Sequence, residues 1–217
     1  DVYKRQGKCY LLYIDAHEEA VRAYSVWRYL KHGLENLGVT SRFKVRIRKP
    51  WYKVPYVRTP DAFLTYMAHE MPRLSLNEAG AINTNTIHSV MLKRVPDRRA
   101  LAVVFHNTFT MLSCEVMGRY YGGGVLKLEP GEAEKLLVPR LSDECLIKDL
   151  RDAFNKVDRL IRAGLQEEAL RVVDEIILNH IQISRDLYGK AVQAYKALKK
   201  NRLCKARKLH SIAKTGT

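Results

Sequence analysis

Residues 101–128 read LAVVFHNTFTMLSCEVMGRYYGGGVLKL, and the changes of texture along this stretch decide the fold class. Leu101–Met117 is mainly apolar and long enough for a buried helix, which Gly118 is placed to end. Gly122, Gly123 and Gly124 then make a tight turn, and Val125–Leu128 has the β-branched opening of a strand.

Upstream, Arg73–Asn77 (RLSLN) reads as a short strand, Ala79–Thr86 as a loop and Ile87–Leu92 as a further strand, with turn chemistry at Pro96-Asp97. Residues 42–48 alternate Phe43, Val45 and Ile47 with Lys44, Arg46 and Arg48. That period of two predicts a half-buried strand presenting a row of cations. Pro50, Pro55 and Pro60 keep the next stretch extended and poorly laddered. Before it, the apolar run Cys9–Ile14 precedes a helical segment that Gly33 and Gly38 can end.

Downstream of Pro139 the pattern becomes helical. Leu146, Ile147, Leu150, Phe154, Val157, Leu160 and Ile161 recur at helical spacing behind a Ser142 cap, up to Gly164. Ala169 to Ile181 stripe a second helix, and a third runs from about Ser184 to Lys200. The expectation is an α+β fold: a mixed, β-rich body over residues 7–140, followed by a helical bundle with a basic C-terminus over 141–217. Residues 1–6 (DVYKRQ) are set aside as a possible non-native leader.

Lys and Arg number 38 against 23 Asp and Glu, a formal net charge of +15. Residues 42–58 carry seven of those cations and 190–217 carry nine, with no acid in either block, so the remainder is close to neutral. Two basic blocks on a neutral body fit a phosphate-lined partner, with a pair of solvated faces as the bland alternative. Neither block carries a lipid-facing apolar stripe, and no run approaches the roughly 18 apolar residues that span a bilayer, so no membrane partner is expected.

Cys9, Cys114, Cys145 and Cys204 are scattered and form no CxxC pair, which fits a reducing, cytoplasmic setting. His17-Glu18 and His69-Glu70 lack the second histidine of an HExxH helix, so no metal site is expected. The glycine run is not followed by Gly-Lys-Ser/Thr and leads into a strand, which favours a tight turn over nucleotide binding. No GxSxG elbow is present, and Cys114 inside an apolar helix reads as core. Polar groups cluster at Asn83, Thr84, Asn85, Thr86 and His88. Amides of this kind hold adenine bidentately, and hydroxyls contact base edges or phosphates. A hydrogen-bonded turn accounts for the same residues equally well.

The ordered segments RFKVRIRKPWYKVP, LNEAGAINTNTIHSV and NTFTMLSCEVMGRYYGGGVLKLEPGEAEKLLVP resemble the C-terminal target recognition region of adenine-specific DNA methyltransferases of restriction–modification systems. The resemblance runs from about Tyr29 to Arg207. It implies duplex DNA recognition attached to a domain that transfers a methyl group from S-adenosylmethionine to the adenine amino group. The family's Asn/Asp-Pro-Pro-Tyr/Phe signature is absent, since no two of the seven prolines are adjacent. No cofactor loop is present either, so the catalytic domain is expected upstream of Asp1, with the cofactor bound there and not in this chain.

Such an enzyme flips its base out of the stack, which needs a second lobe gripping the duplex. Lys44, Arg46, Arg48, Lys49 and Lys53, with Lys199, Lys200 and Arg202 of the tail, suit the phosphates. Asn83, Thr84, Asn85, Thr86 and His88 suit base edges, and Tyr120, Tyr121, Gly122, Gly123 and Gly124 suit close main-chain approach. Trp51 reads either as a DNA contact or as a buried anchor of its turn. Two rival readings remain open here: a stand-alone module for RNA or single strands, and a structural subunit whose helical tail docks a protein. On the favoured reading this chain alone neither binds S-adenosylmethionine nor methylates DNA. Calorimetric titration with the cofactor and a methyl-incorporation assay check this, and micromolar binding or incorporation contradicts it.

Overall fold

The computed structural model describes residues 11–54 and 57–215, with side chains through Cys204. Cys9, Pro55, the 1–6 leader and the side chain of Lys205 therefore lie outside the described residues. Contacts divide the chain into two units, Asp1–Arg58 and Thr59–Thr217. The α+β expectation holds, with about 51% helix and about 10% strand.

The first unit holds α1 (Glu18–Val21), α2 (Val26–Glu35) and α3 (Phe43–Arg46) around a small cluster of Val21, Leu30 and Tyr52. Gly33 lies inside α2, and the chain turns instead at Gly38, whose φ of 53° is left-handed. Trp51 packs edge-on against Tyr52 at 5.6 Å, and the Tyr52 hydroxyl donates to the Ala16 carbonyl at 2.8 Å. Of the two readings of Trp51, the anchor is the one these contacts match. The strand predicted over 42–48 is a correction: Phe43–Arg46 is a helical turn, with Arg46 N–H on the Arg42 carbonyl at 2.9 Å. No strand is described in this unit to ladder with it, whereas a helical turn satisfies its backbone groups locally. Phe43 and Ile47 are consequently exposed, 62% and 59%.

In the second unit β1 (Ala62–Thr65) is the centre of an antiparallel sheet ordered β3-β1-β4, with β3 at Leu74–Leu76 and β4 at Ile87–Val90. Leu64 faces Leu74 on one side and His88 on the other. One residue after β1, the chain enters a second sheet through β2 (Met67–Ala68), ordered β2-β6-β5. Here β5 (Arg119–Tyr121) and β6 (Val125–Lys127) form a hairpin around the three glycines.

The helix expected over Leu101–Met117 is two helices, α4 (Arg98–Val104) and α5 (Thr108–Met117), bent by 68°. Asn107 makes the break. Its side-chain oxygen caps Thr110 N–H at 3.0 Å while its amide donates to Thr110 Oγ1. Asp174 from a later helix then takes Thr108 N–H at 2.8 Å and the Thr108 hydroxyl at 2.6 Å. The apolar spacing runs straight through this break and hides it.

After α6 (Pro130–Ala133) come α7 (Glu144–Asp152) and α8 (Phe154–Arg162), split at Ala153 where one continuous stripe predicts one helix. Asp143, not Ser142, caps α7 through Leu146 N–H at 2.7 Å. Gly164, with φ 80°, turns the chain into α9 (Gln166–His180), and α10 (Arg185–Thr215) closes the description. The apolar stripes of α7, α8 and α9 join β1, β3, α4 and α5 in one core that includes Leu64, Leu74, Val103, Leu150, Val157 and Val173. Contacts therefore part the chain between Arg58 and Thr59, not near 140, because these helices and the sheet bury their apolar faces against each other.

His106, at the helix break, is 3% exposed and its Nδ1–H donates to the Ala102 carbonyl at 2.7 Å. Burial holds its pKa down to about 4, from the ordinary 6.5; the Ala102 bond pulls weakly upward and the Arg73 charge downward. The folded chain thus refuses a proton that the unfolded chain accepts. The stability conferred by the neutral ring is complete above about pH 6.5 and is lost as pH falls toward 4, by about 3 kcal/mol across that window. Urea denaturation across this pH range checks the slope, and His106→Gln is expected to remove most of it.

Candidate nucleic-acid interface

Tyr66, the residue between β1 and β2, sits where the two sheets of the second unit meet. Its ring meets the His88 ring edge-on at 4.9 Å, and its hydroxyl donates to Glu129 at 2.9 Å. The Lys127 ammonium lies 5.1 Å from the Tyr66 ring and 4.9 Å from the Tyr121 ring. His88, Tyr66, Lys127 and Tyr121 thus form one continuous row of contacts. It joins the 83–88 loop of the first sheet to the glycine hairpin of the second.

Lys127 is held by Glu129 at 2.6 Å, and that hydrogen bond, with a further one that Lys127 donates to the Tyr66 oxygen, raises its pKa so that it stays charged. Arg119 pairs with Glu132 at 2.5 Å, and the hydrogen bond raises its pKa as well. Lys127 of the row and Arg119 beside it on β5 are each matched by a carboxylate. The charge of Lys127 and Arg119 is therefore neutralised locally. Tyr120 and Tyr121 project from it, 42% and 54% exposed. Tyr66, Lys127 and Arg119 are functional candidates that sequence reasoning missed. The alternation of Val125–Lys127 was the available signal, since it buries Leu126 and turns Lys127 to the opposite face.

The five residues expected to read bases divide into two groups. Asn83 spends its amide inside the loop: it donates to the Ile87 carbonyl at 2.6 Å and the Thr84 carbonyl at 3.0 Å, and accepts from Ser89 at 2.7 Å. His88 Nε2 lies 2.7 Å from the Leu128 carbonyl and donates to it. These two build the loop. Thr84, Asn85 and Thr86 are exposed at its tip; the two hydroxyls sit 3.4 Å apart, and Asn85 has no side-chain hydrogen bond among the described residues.

The expected phosphate contacts divide similarly. Arg202 is the clear correction, because its side chain is 0% exposed and binds Glu115 at 2.7 Å inside the core. A guanidinium without solvent exposure cannot touch a phosphate. The signal for this was Glu115, an acid within an apolar run that needs a partner if buried. Lys199 pairs with Glu70 at 3.1 Å and stacks on Tyr195, and is 14% exposed. Lys53 pairs with Asp15. Lys44, Arg46, Lys49 and Lys200 are exposed, and Arg48 is half-buried. Because Lys44 and Arg46 sit on a helical turn, about 200° apart around its axis, they do not form the row a strand would have made.

The glycine hairpin does not fit S-adenosylmethionine. It runs into β6, not a helix, and the Gly124 carbonyl is held from inside by Arg202. Cys114 is fully buried, and burial pushes its thiol up to about 12, which makes it an inert core residue.

The chain matches a family model described as the C-terminal domain of the type II methyltransferase M.Eco57I, over residues 1–178. It is 28% identical over 109 residues to the type II methyltransferase M.XamI of Xanthomonas campestris pv. amaranthicola. That match covers 49% of this chain and 20% of the relative, so the chain spans about a fifth of that protein's length. No solved structure matches the chain.

Two glycines of this region are required for different reasons. A Cβ at Gly118 would lie 2.7 Å from Leu126 Cδ1 and 2.8 Å from the Cys114 carbonyl, whereas one at Gly123 meets nothing but would sit at φ +76°. Gly118→Ala is expected to cost about 1–3 kcal/mol through overpacking. Gly123→Val is expected to cost about 1–3 kcal/mol through strain, and Gly123→Asn markedly less, since Asn tolerates the left-handed region. Thermal unfolding of the three variants checks the order, and equal losses for Val and Asn contradict it.

Proposed function

We propose that this chain, which belongs to the family of type II methyltransferase C-terminal domains exemplified by M.Eco57I, holds duplex DNA and reads the target site of an adenine-specific enzyme. The observation that carries the reading is the continuous row from the exposed Thr84–Thr86 tip through His88, Tyr66 and Lys127 to Tyr121. Amide and hydroxyl groups at one end suit base edges, and exposed tyrosines beside a flexible-backbone hairpin at the other suit close approach.

In this proposal the parent enzyme's catalytic domain lies elsewhere in its chain. It binds S-adenosylmethionine and transfers the methyl group to the amino group of an adenine turned out of the helix. Extruding a base costs unstacking energy, and a lobe that holds the flanking duplex supplies the compensating contacts. Exposed Lys44, Arg46, Lys49 and Lys200 supply sequence-independent attraction, in line with the net charge of +15. The cytoplasmic setting belongs to the same proposal and rests on the scattered cysteines.

Grip and reading separate experimentally. Replacing Arg46 and Lys200 with alanine is expected to weaken binding to all duplexes alike. It is also expected to flatten the dependence of log K on log salt by roughly one unit per lost contact. Asn85→Ala is expected to leave that slope unchanged and to cost about 1–3 kcal/mol at the site selected from random duplexes. Fluorescence anisotropy with the selected duplex, a scrambled duplex and a single strand checks all three arms. A preference for single strands, or loss of the salt slope in Asn85→Ala, overturns the reading.

A further inference from the structure

The buried side chain of Arg202 has an arrangement that stability alone does not explain. Its Nε and Nη2 hold the Glu115 carboxylate at 3.0 and 2.7 Å, and Nη1 donates to the His69 carbonyl at 2.7 Å and to the Gly124 carbonyl. Four of the five guanidinium N–H donors are thereby used. Glu115 belongs to α5, which runs through Gly118 into β5. His69 follows β2, and Gly124 precedes β6. One planar group thus ties α10 to α5 and to the same end of two paired strands.

Burying an ion pair of this kind rarely stabilises a fold more than an apolar filling of equal volume. What the guanidinium adds is direction, because its fork fixes two carbonyls and a carboxylate in one plane. The glycine turn needs such a fixture. A Cβ at Gly122 or Gly123 would touch nothing within 4 Å, so neither residue has a side chain to lock its conformation, and what lies beside the turn is α10, the helix that carries Arg202. Gly123 and Gly124 both have left-handed φ, 76° and 75°, in a segment with the backbone freedom of three successive glycines. Tyr120 and Tyr121 lead directly into it.

We infer that Arg202 is a positioning residue for DNA reading: it sets the Gly122–Gly124 turn, and with it the aim of Tyr120 and Tyr121, without touching DNA itself. The inference rests on the proposed role of that hairpin as a DNA-facing element. It also reverses the expectation that the arginine works as part of the basic tail. A lysine at this position would keep the charge opposite Glu115, yet its three donors radiate from one nitrogen and do not reproduce the planar fork that spans the carboxylate and both carbonyls.

The test combines residue-resolved amide hydrogen exchange with duplex selection, on the whole chain. It uses Arg202→Lys and the double variant Glu115→Leu/Arg202→Met, whose apolar pair keeps the site filled. Exchange at Gly122–Val125 is expected to rise at least tenfold in both, while amides of β1, β3 and β4 keep their protection. Preference for the selected duplex over a scrambled one is expected to fall at least fivefold, with the salt dependence unchanged. Exchange that stays as in the parent chain, or rises equally across the whole second unit, overturns the positioning role. So does a loosened turn with selectivity intact. The proposed function fails separately, if the unsubstituted chain itself selects no duplex. In that case exchange alone decides whether Arg202 orders the turn.

Discussion

A guanidinium with no exposed surface, that of Arg202, bonds at once to α5, to the residue after β2 and to the turn before β6. It brings together segments separated by 87 residues or fewer along the chain on the Glu115 and Gly124 sides, and by 133 on the His69 side. The desolvation of two charges is tolerable only because nearly every donor and acceptor of the pair is matched. The hairpin, the small second sheet and the last helix are therefore one construction. The tyrosines and Lys127 that line the candidate interface stand on it.

A second buried carboxylate organises the other half of the core. Asp174 is 2% exposed and takes two hydrogen bonds from Thr108 at the start of α5 and one from the Tyr188 hydroxyl at 3.0 Å. Burial raises its pKa, and the three donors work against that rise. By capping α5 from another helix it holds the 68° bend, which carries Glu115 of α5 to Arg202 and leads the chain on into the glycine hairpin. Both carboxylates act as internal fasteners. Around them the charge excess is sorted: some basic residues are spent on the fold, and others remain at the surface, where exposed ion pairs are worth little and free cations can meet phosphates.

This sorting bears on how a strongly basic chain is read. Arg202, Lys199 and Lys53 count toward +15 just as Lys44, Arg46, Lys49 and Lys200 do. Yet the first three already have carboxylate partners. The row joining His88, Tyr66, Lys127 and Tyr121 carries matched charges and open polar tips, so composition passes over it. On the proposed function, long-range attraction and site reading fall on different residues, as the physics of phosphate and base contacts requires.

Local chemistry was enough to establish much of this protein. The short strands at Leu74–Leu76, Ile87–Val90 and Val125–Lys127, the turn at Gly122–Gly124, the stop at Gly164 and the three later helical stretches follow from period, β-branching and glycine placement. The family follows from the order of long segments. Where local and non-local terms compete, the sequence alone misleads. Residues 42–48 alternate like a strand, but with no described neighbour to ladder against they close a helical turn. Leu101–Met117 reads as one apolar helix, but Asn107 with Asp174 breaks it. Which loop amides stay open, and which cations are buried, depends on partners many residues away. The energy of a charge is set by what surrounds it in space, and no window along the chain contains that information.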